Sequence, residues 1–238
     1  MKYKDLICFY LAFVLGMKIA KFTIQEQITT RNRINMSSIA KTANILRQQE
    51  LTTELIRKSI HMLIALVPPL ASLNLEVTLL MLGSGVIFYA WAEIQRLAGR
   101  SVGLVSSITV SASRRRDIDG IVFGPITLAI GAMLALMLYP EPAASLAIYA
   151  LAFGDGLSSL VGKAFGRVQI PFTGGKTIAG SLTCFFVVFL LAAGTVPTLF
   201  AAAFVAVLAT VLEMMPSQDL DNIILPVGVG LLTYLLMI

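Results

Sequence analysis

Charged side chains form a short group at the start of one apolar segment of this chain. Glu54 is followed by Arg57, Lys58 and His61, at intervals of three, four and seven residues. In a helix this spacing puts all four on one face. Three potential cations beside one carboxylate suit a phosphate group with an internal counter-ion. An ordinary basic flank of a membrane helix, with an interfacial histidine, is the alternative interpretation.

A second group contains a carboxylate inside an apolar segment. Asp155 precedes Lys163 and Arg167, which lie four residues apart. A carboxylate that holds a divalent cation, beside cations that hold phosphate oxygens, is what a metal–phosphate site requires. Four glycines flank these residues: Gly154, Gly156, Gly162 and Gly166. The last two also suit close helix packing alone.

A third group opens the next apolar segment. It consists of Thr173, Gly174, Gly175, Lys176, Thr177, Gly180 and Ser181. The group is similar to the end of a P-loop, but Ile170 stands where that motif begins with glycine, and no predicted strand precedes it. Glycine-rich backbone with a lysine at a helix N-terminus still predicts an anion site.

Two further groups are acidic or mixed. Glu213, Asp219, Asp221 and Asn222 place carboxylates on the predicted basic side of the membrane. Metal ligation or pairing with cations from other segments explains them, and a solvated turn is the alternative. Glu93 and Arg96 lie three residues apart and predict an intrahelical ion pair in a supporting role.

Composition defines the class of protein that carries these groups. The 238 residues are 57% hydrophobic and 13% charged, whereas soluble domains contain about 45–50% and about 25%. A water-soluble enzyme is therefore excluded, and the sequence predicts an all-α polytopic membrane bundle. A single histidine, His61, excludes a multi-histidine zinc site, and the two cysteines, Cys8 and Cys184, predict no disulfide.

Seven or eight membrane spans are predicted, the first of which has a helix along the membrane interface as its alternative. Their ranges are 6–23, 59–74, 76–92, 121–139, 143–161, 178–196, 198–212 and 222–238. Three of them contain residues that interrupt helices: Pro68 and Pro69, Gly124 and Pro125, and the Gly154–Gly156 segment. Interrupted spans indicate a cavity, because the freed backbone groups need new partners.

The basic residues predict the orientation. With segment 24–58 in the cytoplasm, all of the 18 Lys and Arg except Lys2 and Lys4 lie on that side. The asymmetry follows the positive-inside rule, and it assigns the net charge of +5 to topology and not to nucleic-acid binding. The outer loops are very short, so chemistry is expected on the inner face. We expect residues 1–50 to form an apolar helix plus an amphipathic interfacial segment, and 51–238 the main membrane domain.

These groups, all at one end of apolar helices, predict a site for a polyphosphate and a magnesium ion beside lipid. In this order they also resemble the CTP-dependent polyprenol and lipid kinase family, which includes dolichol kinase, phytol kinase and the CTP-using diacylglycerol kinase of yeast. The resemblance covers about residues 50–238. Two departures are Ala179, where the family often has an acidic residue, and Ser158 with Ser159, where small alanine-like residues are usual.

The resemblance implies CTP as phosphoryl donor, a divalent metal such as Mg²⁺, and a long-chain alcohol or diacylglycerol as acceptor. The implied catalytic residues are Arg57, Lys58, His61, Asp155 and Lys176. The implied metal ligands are Asp155, Glu213 and Asp221. The implied nucleotide site contains Gly154, Gly156, Ser159, Gly162, Lys163, Gly166, Gly175, Thr177, Gly180, Ser181 and Asn222, and Glu54, Glu93 and Arg96 support it.

Two other functions compete with a kinase. A cytidylyltransferase that forms CDP-diacylglycerol also uses CTP, magnesium and a lipid, but the long signature that typifies such enzymes is absent. A transporter would also have interrupted helices and an intramembrane aspartate. The polar groups of a transporter would lie near the middle of the membrane, however, whereas those of this chain are predicted at one face. The chain also contains no internal repeat of the kind found in many transporters. The sequence does not identify the lipid or the oligomeric state.

Overall fold

The computed structural model describes residues 48–113, 120–216 and 219–238, with two isolated positions at 42 and 46. These parts of the chain contain eight helices. In chain order they are α1 (Gln48–Leu73), α2 (Leu75–Leu97), α3 (Gly103–Ala112), α4 (Gly124–Leu138), α5 (Ala143–Phe165), α6 (Ile178–Ala193), α7 (Leu199–Met214) and α8 (Asp221–Met237).

The helices confirm the prediction of an all-α membrane bundle. Three of them, α1, α2 and α5, are long and apolar enough to cross a membrane, and α3, α4, α6, α7 and α8 are shorter apolar helices. The predicted spans between 59 and 238 each coincide with a helix. Two helices extend beyond the predicted spans: α1 begins well before residue 59 and α5 continues to Phe165.

Two features differ from the expectations. Helix α3 was not predicted, because its ten residues include three serines and a threonine and do not form a long apolar run. Gly124 and Pro125 do not interrupt a span but begin α4, with the proline in the first turn. This is the helical position where the missing proline N–H costs nothing.

Side-chain caps fix where three helices begin. The Asn74 Oδ1 accepts the Val77 N–H at 3.0 Å at the start of α2. The Thr177 and Thr198 hydroxyls do the same for the third residue of α6 and α7. Each cap satisfies one N–H that has no partner within its own helix.

Helix α5 is the centre of the bundle. About 61% of its most apolar stretch of 18 residues is buried inside the protein. The corresponding share is 28% for α1 and 17% for α2. It packs against α6 and α8, while α6 packs on α7 and α8 packs on α4 and α7. Small residues such as Ala147, Ala150 and Ala152 line the buried faces and allow the close approach of neighbouring helices.

The middle of α5 departs from α-helical geometry, as the glycines there predicted. Residues Ala150–Asp155 form a π-helical segment. A π turn widens the helix and changes the face on which the following side chains project, and such turns are frequent at functional sites. In this chain the segment ends on Asp155, the aspartate singled out from the sequence.

Residues Glu50–Ile238 form one compact unit, as judged by the contacts between them. The predicted first span, 6–23, and most of the predicted interfacial segment lie outside the described residues, as does Cys8. The division of the chain near residue 50 into two domains stays a prediction. Cys184 carries a free, buried thiol.

Candidate active site

Asp155 forms a buried ion pair with Lys58, across 97 residues of sequence. The Lys58 ammonium donates to the Asp155 Oδ2, and both side chains are almost completely buried. Lys58 is carried by α1 and Asp155 by the end of the π segment of α5. A buried charge is tolerated only when it is paired, so each residue requires the other.

His61 lies one helical turn beyond Lys58 and contacts the same carboxylate. Its Nε2 is 3.0 Å from the Leu151 carbonyl oxygen and 3.3 Å from the Asp155 Oδ2. Because a carbonyl oxygen only accepts, Nε2 is the nitrogen that carries hydrogen, which leaves Nδ1 as the acceptor in the neutral ring. The arrangement orients the imidazole as a carboxylate orients the histidine of a catalytic dyad.

Lys176 forms a second ion pair in contact with the first. Its ammonium donates to the Glu213 Oε1 and lies 3.9 Å from the Asp155 Oδ1. Burial by itself lowers the pKa of Lys176, but the carboxylates of Asp155 and Glu213 outweigh it and raise that pKa above its usual range. Lys176 is therefore an ammonium ion at any physiological pH.

A short loop brings Lys176 to this position. The Ile170 N–H donates to the Lys176 carbonyl at 2.9 Å, and the Ile178 N–H to the Val168 carbonyl at 3.1 Å. The chain reverses at Gly174 and Gly175, whose φ values of 69° and 99° favour glycine. The glycine-rich group thus positions a lysine at the start of α6.

A third set of charges lies at the outer edge of the site. The Glu54 Oε1 accepts from Arg57 at 2.5 Å, and its Oε2 accepts from Lys163 at 2.7 Å. Glu54 is buried, whereas the side chain of Arg57 is 20% exposed and that of Lys163 is 44% exposed. The two cations can therefore reach a water-borne ligand.

The fourth carboxylate comes from the start of α8. Asp221 interacts electrostatically with Asp155, Lys58 and Lys176. We call the whole group the charge cluster; it consists of Glu54, Arg57, Lys58, His61, Asp155, Lys163, Lys176, Glu213 and Asp221. Members of four of the five groups found in the sequence thus converge, although they are separated by up to 167 positions.

The charges of the cluster balance. Apart from His61 it contains four cations and four carboxylates. A neutral cluster does not neutralise a triphosphate, so a nucleotide needs additional positive charge in order to bind here. A divalent cation bound with the nucleotide would supply that charge.

Free carboxylate oxygens at the centre of the cluster fit such a cation. The buried Asp155 Oδ1 and Glu213 Oε2 accept no hydrogen bond from the described residues. Those residues contain no group of three or more His, Cys, Asp or Glu side chains placed to hold a metal ion. Magnesium commonly binds through one or two carboxylates plus phosphate oxygens and water. The predicted three-carboxylate set is thus not preformed, but two of its members fit.

Three of the glycines lie where α5 crosses α6. A Cβ on Gly180 would lie 2.7 Å from the Ser158 carbonyl oxygen, and one on Gly162 would lie 2.9 Å from the Thr177 Oγ1. Gly166 is similarly close to the Thr177 side chain. The structure therefore gives Gly162 and Gly166 the packing role that the sequence left open, and it gives Gly180 a packing role that the sequence did not suggest. Thr177 caps α6. Contact of these glycines with nucleotide stays a prediction.

We expect Gly180→Ala to lower stability by about 2 kcal/mol, because the added methyl group would overlap backbone of α5. In a protein of this size that is a fall of roughly 4–8 °C in Tm, measurable by thermal unfolding in detergent. Gly85→Ala in α2 is the matched control, since nothing lies within 4 Å of its added Cβ. An unchanged Tm with a raised nucleotide KM would instead assign Gly180 to the nucleotide site.

Other predicted residues lie near the cluster without joining its ion pairs. Gly154 and Gly156 face side chains of α6 and α1, respectively. Ser181 is buried and its hydroxyl has no hydrogen-bond partner among the described residues, whereas Ser159 is half-buried. Gly175 is exposed at the turn. The structure brings these residues close to the site but shows no contact that would define their roles.

Glu93 and Arg96 form the predicted pair within α2. The Arg96 Nη2 donates to the Glu93 Oε1 at 2.7 Å and to the Gly120 carbonyl at 2.7 Å. Glu93 also accepts the Val122 N–H at 3.0 Å. The pair thus ties the segment before α4 to α2, which is a supporting role.

A cavity of about 230 Å³ lies beside the charge cluster, between α1, α2, α3, α4 and α8. Arg57 and His61 belong both to the cluster and to the cavity wall. Asn222 also lines it, and its amide donates to the Thr127 Oγ1 at 2.9 Å and the Gly124 carbonyl at 3.3 Å. Polar and apolar binding surfaces therefore adjoin.

Sequence analysis did not assign a role to Ser158. Its hydroxyl contacts the Glu213 Oε1 at 3.0 Å and the Asp155 carbonyl oxygen at 3.1 Å, and so links α5 to α7. The signal was its spacing of three from Asp155, which puts both on one helical face. The part of the cavity formed by α3 could not be found, because that helix was not predicted.

The fold and the site define an all-α membrane protein with a buried, charge-balanced polar centre at one end of apolar helices. Comparison with known proteins narrows this class. The chain is 25% identical over 155 residues to "Phytol kinase 1, chloroplastic" of Arabidopsis thaliana, an alignment that covers 58% of this chain and 51% of that protein. It is 30% identical over 149 residues to "Probable phytol kinase, chloroplastic" of Triticum aestivum, an alignment that covers 56% of this chain and 49% of that protein.

A rice relative, "Probable phytol kinase 1, chloroplastic" of Oryza sativa subsp. japonica, is 27% identical over 148 residues. The alignment covers 55% of this chain and 47% of that protein. The chain therefore spans about half the length of the curated relatives that it matches. No family model matches the chain, and no solved structure does. The similarity to these proteins confirms the resemblance to phytol kinases that was seen in the sequence.

Proposed function

We propose that this protein is a multi-pass membrane kinase that transfers the γ-phosphoryl group of a nucleoside triphosphate to the hydroxyl of a membrane lipid alcohol. The observation that carries the proposal is the contact between a buried charge cluster and an apolar cavity, through Arg57 and His61. Phosphoryl transfer to a lipid needs both surfaces: cations and carboxylates for the phosphates, and an apolar wall for the hydrocarbon.

In the proposed reaction, the alcohol oxygen forms a bond to the γ-phosphorus while the bond from that phosphorus to its β-bridging oxygen breaks. The nucleoside diphosphate leaves with the bonding electron pair. The hydroxyl proton passes to the His61 Nδ1, and Asp155 stabilises the imidazolium that results. Because the transition state of phosphoryl transfer is loose, positioning and charge stabilisation contribute more than the base does.

The cations of the cluster would hold the phosphates. Lys176 lies between Asp155 and Glu213, and Arg57 and Lys163 are partly exposed at the rim. The free oxygens of Asp155 and Glu213 would hold a divalent cation, which supplies positive charge for the β- and γ-phosphate oxygens. Lys58 compensates Asp155 from within the bundle and so fixes its position.

The donor, the acceptor and the membrane side are the finer parts of the proposal. The relatives' name supports an alcohol acceptor, since phytol is a long-chain alcohol. CTP as donor follows only from the family resemblance. The asymmetry of Lys and Arg supports a cytoplasmic location for the charge cluster.

A double-label experiment with the full chain in nanodiscs tests this function. The protein receives CTP or ATP labelled on either the α- or the γ-phosphorus, together with phytol, a polyprenol, diacylglycerol or phosphatidic acid. We expect only the γ-label to enter the lipid, with one nucleoside diphosphate formed per lipid phosphate, and CTP to outcompete ATP.

Two other outcomes would overturn the proposal. An α-label in the lipid product, with release of pyrophosphate, would identify a cytidylyltransferase. Nucleotide-dependent uptake of solute into vesicles, without any labelled lipid, would identify a transporter.

A further inference from the structure

The wall of the cavity beside the charge cluster contains both polar and apolar side chains. Arg57 and His61 of the cluster are among the polar ones. Aliphatic side chains come chiefly from α3 and α4: Val105, Ile108, Ala112 and Leu128. This combination fits a molecule with one polar end and a hydrocarbon body.

Three other polar side chains of the wall have hydrogen-bond partners. The Asn222 amide is bonded to Thr127 and Gly124, and the Thr109 hydroxyl lies 3.4 Å from the Tyr89 hydroxyl. Each hydrogen bond that a buried polar ligand fails to make in this cavity would weaken its binding. A nucleotide fits poorly, because Lys163 and Lys176 do not line the cavity.

We propose that this cavity binds the first part of the acceptor's hydrocarbon chain, and that Val105, Ile108 and Ala112 of α3 determine which chains fit. The inference rests on the proposed function, since it places the acceptor hydroxyl at His61. It adds a location for the chain and a set of specificity-determining residues on a helix that the sequence did not reveal.

The size of the cavity limits what it can hold. An engineered apolar cavity of roughly 150 Å³ holds one benzene molecule, with six carbons. The present cavity has about 230 Å³, so it holds roughly nine carbons on the same scale. That is the first part of a single chain. A diacylglycerol would in addition place its ester oxygens against a largely aliphatic wall, where each unmet hydrogen bond weakens binding.

Helix α3 contributes both to the wall of the cavity and to the outer surface of the protein. Ile108 lines the cavity and is still 49% exposed. Leu104 on the same helix is 80% exposed and does not line the cavity. Adjacent residues of α3 thus provide a test substitution and its matched control.

Val105→Phe is expected to raise the KM for phytol at least tenfold, because the larger ring fills the cavity, while the KM for nucleotide changes less than twofold. Leu104→Phe adds a similar ring on the lipid side and should change neither value. Ile108→Ala enlarges the cavity and should raise the rate with diacylglycerol relative to phytol at least fivefold. Equal effects of Val105→Phe and Leu104→Phe would overturn the inference.

A binding measurement keeps this test separate from that of the proposed function. A photoreactive farnesol analogue that carries a diazirine on its first isoprene unit is crosslinked to the full chain in nanodiscs. We expect the label on peptides from α3 and α4, displaced by excess phytol and reduced by Val105→Phe but not by Leu104→Phe.

The two failures are then distinguishable. If no alcohol is phosphorylated but this labelling pattern is found, the kinase function fails and the chain-binding site stands. Labelling spread evenly over the exposed helices, or displaced by CTP and not by phytol, contradicts the site even where phosphorylation is observed.

Discussion

Asp155→Asn is expected to lower kcat/KM for lipid phosphorylation at least about 10³-fold. Asp155 has three charged or polar neighbours in the charge cluster: it pairs with Lys58 and lies beside both His61 and Lys176. An amide keeps the shape of the side chain, but it neither stabilises an imidazolium nor holds a divalent cation. The measurement is steady-state transfer of γ-label to phytol in nanodiscs.

The same substitution should also destabilise the protein. It leaves the Lys58 ammonium buried without its counter-charge, and breaking a buried ion pair from one side costs about 3–5 kcal/mol. Loss of activity could then reflect unfolding alone. The double variant Lys58→Met with Asp155→Asn separates the two effects, because it removes both buried charges and leaves a side chain of similar length.

We expect the double variant to recover most of the lost stability and none of the activity. Glu76→Gln, an exposed charge in the first turn of α2, is the control for removing one negative charge from the chain. Turnover within tenfold of the natural protein in the folded double variant would show that the Lys58–Asp155 pair is structural and not catalytic.

The spacing of charged residues predicted much of the site. The helical stripe from Glu54 to His61 forms because residues 48–62 are helical and because α1 turns that stripe toward Asp155. Uncompensated charges inside a bundle must find partners, so isolated carboxylates such as Asp155 and Glu213 predicted a meeting with lysines from other segments. The sequence could not specify which lysine meets which carboxylate, because pairing depends on the rotation of each helix about its own axis.

The apolar half of the site was less accessible to prediction. Val105 and Ile108 belong to a helix with several serines, and nothing in their spacing distinguishes a residue that lines a cavity from one that faces lipid. In a membrane both environments are apolar, so the hydrophobic pattern that separates core from surface in soluble proteins loses its contrast. Gly162 and Gly180 show the same ambiguity, because a glycine suits both close helix packing and close approach to a phosphate.

Lys176→Met is expected to raise the KM for the nucleotide about 10- to 100-fold and to lower kcat, because the lysine is the cation placed between the two central carboxylates. Lys176→Arg keeps the charge and should retain part of the activity. Lys163→Met is the comparison, since Lys163 is 44% exposed and its salt bridge is to Glu54, and a smaller effect is expected there.

The pH dependence of these variants adds a second readout. Since neighbouring carboxylates raise the pKa of Lys176, the stability that its ion pairs contribute is fully present at neutral pH. It is lost only as the pH rises through that raised pKa. The pH profiles of the natural protein and of Lys176→Arg should therefore coincide between about pH 6 and pH 9. Binding of a fluorescent nucleotide, measured without acceptor, directly tests whether Lys176 holds the triphosphate. Unchanged affinity in Lys176→Met would place the triphosphate away from the start of α6. Another cation of the cluster would then have to hold it.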